Sequence, residues 1–183
     1  MTVLTTERLI LRDWTDDPAD LARIYDIYSR SEITRWLAVS PGLPMTDPGQ
    51  AAERLQIWRD RHANDHGRYG TWAIGVRDTG LVAGTMVLKP LPGRDEELRT
   101  GKIEVGWHLH PDSWGHGYAT EAARAVMSRE FAAGTPEVYA VVPPGNDPSM
   151  AVCRRLGMTH VGRNTDWYGG EELETFVLTA PTG

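Results

Sequence analysis

Cysteine is nearly absent from this chain, with Cys153 alone among 183 residues. A single thiol excludes an internal disulfide and fits a reducing compartment. There is no run of basic residues, and the formal net charge of -6 argues against nucleic acid as the main partner. An acidic surface weakly favours amine-bearing partners. Neither a signal-peptide pattern nor an apolar run long enough to span a bilayer is present, so no membrane role and a cytoplasmic address are expected. Heptads, low-complexity tracts and internal repeats are also missing. The length suits one domain over residues 1–183, with a substantial core.

What stands out instead is Trp114-Gly115-His116-Gly117-Tyr118-Ala119. Before it, Ile103, Val105, Trp107 and Leu109 alternate with more polar residues, the pattern of a half-buried strand. After it, Ala119, Ala122, Ala123, Val126, Met127 and Phe131 recur at helical spacing. Strand, glycine turn and helix together suit an anion. The first turn of a helix leaves backbone N–H groups unpaired, and the helix dipole adds partial positive charge there. Glycine removes the Cβ atoms that would hold a bulky anion away. A plain strand-to-helix turn would carry the same two glycines. Thr120 breaks the dinucleotide fingerprint, and no Gly-Lys-Ser/Thr makes a nucleotide P-loop.

The remaining elements read coarsely as β-α-α-β-β-β-α-β-α-β, an α/β (α+β) chain with a mixed sheet. A first strand covers residues 5–12. Thr15 or Asp16 caps a helix that carries Leu21, Ile24, Tyr25 and Tyr28, with Pro18 in its first turn. A second helix starts at Asp47-Pro48. Residues 71–76 and 81–88 form a hairpin about Arg77-Asp78-Thr79-Gly80. The strand at 102–109 and the helix at 117–131 follow, then a short strand at 138–142. A short helix over 148–156 stops at Gly157, and 173–179 is the last strand. The proline- and glycine-rich stretches 40–49 and 89–101 are expected to be loops.

Three stretches, in order, resemble the GNAT superfamily of N-acyltransferases, in the branch of bacterial ribosomal-protein N-terminal (alanine) acetyltransferases. They are Thr6-Glu7-Arg8-Leu9-Ile10-Leu11-Arg12, Glu104-Val105-Gly106-Trp107 with Pro111 and the glycine turn through Ala122, and Asn146-x-x-Ser149 with Arg155-Leu156-Gly157-Met158. The resemblance runs almost end to end. It implies a splayed mixed sheet of six to seven strands flanked by about four helices. Acetyl-CoA, or a near relative, is implied as acyl donor and cosubstrate. The donor's pyrophosphate would lie on the backbone N–H groups of Gly115, His116, Gly117, Tyr118, Ala119 and Thr120, with Trp114 beside them in the cofactor site. Its pantetheine would pair with the free edge of the fourth strand at Leu109 and Trp107. Asn146 would hold the pantetheine arm; a plain helix cap, by Asn146 or Asp147, is its alternative.

The implied reaction is direct attack of a neutral amine on the thioester. It needs a base, donors for the oxyanion, and a donor for the departing thiolate. Glu104, on the fourth strand, and Asp166, in Thr165-Asp166-Trp167-Tyr168-Gly169, are equal candidates for the base. Glu104 could instead be an outward strand residue, and Asp166 a surface acid of a turn. Ser149 is the candidate donor to the thiolate, and a local cap bond is its alternative. Many family members place a tyrosine where Cys153 stands, and a small buried group is expected there. His108, His110 and His116 lack a ligand set, so no metal is expected. Trp36 and Trp167 fall in segments that flank the acceptor pocket in the family. The acceptor that the resemblance implies is a primary amine, either a protein N-terminus or a small molecule. A noncatalytic acyl-CoA-binding or sensing module is the competing reading, and homodimerisation is implied by family habit alone.

Overall fold

The computed structural model describes residues 1–37, 43–64, 68–95 and 99–181. Along the chain run strands β1 (Thr2–Thr5) and β2 (Leu9–Asp13), then helices α1 (Pro18–Tyr28), α2 (Ser31–Thr34) and α3 (Gln50–Asn64). Strands β3 (Gly70–Val76), β4 (Val82–Pro92) and β5 (Arg99–Leu109) lead into α4 (Tyr118–Ala132). Then come β6 (Glu137–Val142), α5 (Asp147–Arg155), β7 (Thr159–Trp167) and β8 (Glu171–Thr179). Among the described residues no helix is long and apolar enough to cross a membrane.

All eight strands join one sheet in the order β1-β2-β3-β4-β5-β6-β8-β7. Among the described residues only the β5–β6 pair is parallel, the geometry that a β-α-β crossover through α4 requires. Mixed pairing is as expected, but the described residues form eight strands rather than six or seven, and five α-helices rather than about four. The expected first strand corresponds to β2, and β1 is an additional strand before it, because the chain turns between Thr5 and Leu9 and β1 folds back on β2. Strand β7 escaped the sequence reading because it is an edge strand, exposed along much of its length, so burial imposes no alternation. The four-residue helix α2 is too short to show helical periodicity.

The stretch expected as a loop at 89–101 is mostly strand, since β4 runs to Pro92 and β5 begins at Arg99. Pro90 sits opposite Ile103, at a position whose backbone faces away from β5, so its missing N–H costs the ladder nothing. Residues 40–42 and 96–98 of the two expected loops lie outside the described residues.

The two sheet faces pack differently. Helices α1 and α3 close one face through Trp14, Ile24, Ile27, Tyr28, Leu55 and Trp58. Helix α4 closes the other, with Ala119, Ala122, Ala123 and Val126 meeting Leu11, Ile74, Met86 and Val105. Alanines along the inner stripe of α4 bring its axis close to the sheet, which fixes where its N-terminus points. Burying each of the larger side chains is worth about 1.5–3 kcal/mol.

Candidate active site

The sheet opens beside β5. Strand β5 pairs with β6 only at Ile103–Val138 and Glu104–Tyr139, whereas it pairs with β4 up to Leu109–Gly84. Beyond Glu104 the two strands part, and β6 continues against β8 alone. The N–H of His110 bonds the carbonyl of Ala83 at 3.0 Å, so alternation turns the backbone groups of Val105, Trp107 and Leu109 away from β4. Those groups face the parting. One is already engaged: the Trp114 indole N–H donates to the carbonyl of Leu109 at 2.8 Å. That bond ties the end of β5 to the start of the glycine turn.

The turn itself is an amide cradle. Gly115 and Gly117 have φ of +79° and +78°, and Gly117 is the left-handed N-cap of α4. A Cβ on Gly115 would meet nothing within 4 Å, so backbone conformation rather than space demands glycine there. The first helical bond runs from Glu121 N–H to Gly117 at 3.1 Å. The N–H groups of residues 115–120 donate to no described residue. Six bare amides at a helix start, with the dipole behind them, form an anion site. His116 and Tyr118 stack with ring centroids 5.2 Å apart.

Glu121, in the first turn of α4, would repel an anion there, yet its charge is compensated. It accepts from Thr6 Oγ1 at 2.6 Å and from Arg8 N–H at 3.0 Å, and it pairs with the Arg8 guanidinium at 2.6 Å. Burial opposes its ionisation, but these donors hold the carboxyl below the usual carboxylate range. Arg8 also donates to the carbonyl of His116 at 3.0 Å. Arg124 and Arg155 line a groove of about 430 Å³ that begins at Gly117 and Thr120.

On the sheet face toward α1, Glu104 is buried on β5 with Lys89 directly opposite on β4. The Lys89 ammonium lies 3.6 Å from Glu104 Oε2 and 4.9 Å from the centre of the Tyr168 ring. Tyr168 donates its hydroxyl hydrogen to the same Oε2. Oε1 has no hydrogen-bond partner among the described residues. Burial, with the carboxylate beside it, pushes the Tyr168 phenol far up, so it stays a neutral donor. Tyr168 follows β7 at φ +48°, the sole non-glycine with positive φ among the described residues. Holding a bulky residue there costs about 1–2 kcal/mol. Four residues along β5 on the same face, His108 Nδ1 meets the Tyr28 hydroxyl at 2.9 Å. The ring keeps some surface, but burial, with Lys89 and Arg54 nearby, pulls its pKa down to about 4.

Asp166 is exposed, and its own N–H bonds Asn164 Oδ1 at 3.2 Å. The segment singled out for Asp166 therefore brings a different residue, Tyr168, to Glu104. Neither Tyr168 nor Lys89 emerged from the sequence; a lysine paired across strands with Glu104 was the available signal for the latter. Asn146 is buried and caps α5, its Oδ1 accepting from Ser149 N–H at 3.3 Å. Its amide nitrogen and the Ser149 hydroxyl have no partner among the described residues. Asn146 does cap the helix, and its donor half remains free. Cys153 is fully buried, and burial pushes its thiol up to about 12, which suits packing and not nucleophilic attack.

The Trp36 ring comes within 4.0 Å of the Cβ position of Gly145, so the segment after α2 reaches the loop before Asn146. Trp167 ends β7 rather than lying in a loop, and its indole N–H bonds Thr175 Oγ1 at 3.1 Å. His110 sits between Asp26 and Asp112, at 3.1 and 2.9 Å, where Arg23 also binds Asp112. Among the described residues no three His, Cys, Asp or Glu side chains cluster to hold a metal.

A parted sheet, a free strand edge and an amide cradle at a helix start lie side by side at the end of β5. The acetyltransferase (GNAT) domain model matches residues 8–159. The chain therefore belongs to the GNAT acetyltransferase family and is an N-acetyltransferase. It is 30% identical over 168 residues, 91% of this chain and 88% of the relative, to the uncharacterized N-acetyltransferase p20 of Bacillus licheniformis. Among solved structures it resembles a GNAT-family acetyltransferase from Bacillus anthracis, with TM-score 0.74, 18% identity and 98% and 99% of the two chains covered. It also resembles RimL, a ribosomal L7/L12 alpha-N-protein acetyltransferase in complex with coenzyme A, with TM-score 0.74, 15% identity and 98% of each chain covered.

Proposed function

We propose that this protein transfers an acetyl group from acetyl-CoA directly to a primary amine, with Glu104 as the base. The observation that carries this reading is the continuity of the cleft: the free edge of β5 runs from Glu104 to Leu109, where Trp114 ties it to the bare amides of residues 115–120. The diphosphate of the donor rests on those amides, with Arg124 and Arg155 beyond. The pantetheine arm pairs with backbone groups of Trp107 and Leu109 and with the side-chain amide of Asn146.

Glu104 takes the role over Asp166 because it lies buried where the strands part, with one carboxylate oxygen unpartnered among the described residues, whereas Asp166 faces outward. The amine nitrogen bonds to the thioester carbonyl carbon, and a free β5 N–H steadies the oxyanion. Glu104 Oε1 receives the amine's proton, the C–S bond breaks, and the Ser149 hydroxyl meets the leaving thiolate. The acceptor enters from the α1–α3 face, where a groove of about 450 Å³ is lined by Leu43, Met45, Arg54 and Ile57.

The test is CoA-thiol release with a panel of primary amines, comprising short peptides with free N-termini, polyamines and amino-acid amides. Glu104→Gln should lower turnover by about 10²–10⁴-fold, and Asp166→Asn by far less. The reverse order would transfer the base to Asp166. Turnover unchanged by both substitutions would remove the carboxylate base altogether. Acetyl-CoA binding without release for any amine would favour a sensing module.

A further inference from the structure

We infer that Tyr168 is a positioning residue for this reaction: with Lys89 it fixes the Oε2 oxygen of Glu104, leaving Oε1 as the one oxygen free to take the amine's proton. The inference rests on Glu104 being the base. Three features of the fold converge on it.

The first is the division of labour on the carboxylate. Both the Tyr168 hydroxyl and the Lys89 ammonium meet Oε2, and no described residue meets Oε1. A carboxylate held by one oxygen cannot rotate freely, so its other oxygen keeps one direction.

The second is the turn that delivers the phenol. Tyr168, Gly169 and Gly170 have φ of +48°, +70° and +94°, three successive left-handed residues. The turn is anchored away from the cleft, through the Gly93–Trp167 bridge and the Gly169 N–H bond to the carbonyl of Gly93 at 3.3 Å. A bulky residue held in this conformation while two glycines follow shows the surroundings imposing its place. The ring is then packed by Leu91 and Leu173.

The third is Lys89. It stands opposite Glu104 in a directly hydrogen-bonded strand pair, and its ammonium touches both the ring face and the carboxylate. Each group therefore restrains the other two, and the set links β4, β5 and the turn after β7 about one oxygen.

The experiment is a double-mutant cycle of Tyr168→Phe and Glu104→Gln, read as CoA release with the same amine panel and with acetyl-CoA varied. Phenylalanine keeps the packing and removes only the hydroxyl. Tyr168→Phe should lower kcat about tenfold or more, as small misplacement of a reacting group does, while KM for acetyl-CoA stays unchanged. In the double variant the Tyr168 change should add nothing to Glu104→Gln, because it acts through that carboxylate. Wild-type turnover in Tyr168→Phe would overturn the inference and leave the base in place. Full, multiplied losses would also overturn it. Undiminished turnover in Glu104→Gln would remove the base and the inference together. If Tyr168→Phe melts early, Lys89→Met repeats the cycle with the turn intact, and the same non-additivity is expected.

Discussion

Arg8 and Glu121 meet at 2.6 Å across 113 residues of sequence, at the point where β2 passes the start of α4. The pair does two things at once. It pins the glycine turn, since Arg8 also holds the His116 carbonyl, and it neutralises the only acid in the first turn of the helix. Arg8→Ala should weaken CoA binding about tenfold, because it leaves an uncompensated carboxylate beside the anion site. Removing both charges in Arg8→Ala/Glu121→Ala should restore part of that affinity. Calorimetric titration with CoA checks this, and a double variant weaker than either single one would contradict it.

Asn146 caps α5, and the contact proposed for it with the pantetheine arm is separable from that cap. Asn146→Ala should lose the cap on α5, worth about 1 kcal/mol, and should also raise KM for acetyl-CoA. Asn146→Asp keeps the accepting oxygen and loses the NH2 donor, so it should hold its melting temperature while KM still rises. Equal KM for Asn146→Asp and the native protein would confine Asn146 to capping.

Ser149→Ala should lower kcat several-fold with little change in KM for acetyl-CoA, the pattern of an interaction made late in the reaction. The Ser149 N–H bond to Asn146 is backbone and survives the change, so folding should not suffer. An unchanged kcat would assign the thiolate to water.

His108 gives the fold a pH dependence of known sign. Its pKa falls from 6.5 in the unfolded chain to about 4 in the folded one. Between those values the unfolded chain binds a proton that the folded one refuses. Stability is therefore complete above pH 6.5 and declines as pH drops toward 4, by about 1–3 kcal/mol. Urea midpoints at pH 7.5 and pH 5 should differ more in the native protein than in His108→Gln. Equal differences would remove His108 as the cause.

Much of this architecture was legible because burial writes itself into sequence. Ala119, Ala122, Ala123 and Val126 spell out the inner stripe of α4, and the glycine turn follows from the helix start they define. Strand β7 was not legible, because exposed Thr159, His160 and Val161 carry no alternation. Tyr168 was hidden for another reason. Its segment drew notice for the carboxylate of Asp166, yet alternation along β7 and the left-handed turn after it point the aspartate outward and the tyrosine inward. Which side chain of a turn faces a cleft depends on backbone dihedrals, and neighbouring residue types specify those only loosely. The Lys89–Glu104 pair needed the β4–β5 register, which the residue types of the two strands alone do not specify.

The central claim is that the amides of residues 115–120 hold the donor's diphosphate, and thermal unfolding with and without CoA tests it most directly. At about a hundred times its dissociation constant CoA should add about 2.7 kcal/mol, or roughly 5–10 °C in Tm for a chain of this size. Gly117→Glu, which places a carboxylate in the cradle, should fold and show no shift. A native protein unmoved by CoA, or a Gly117→Glu variant that shifts as far as the native one, would contradict the account.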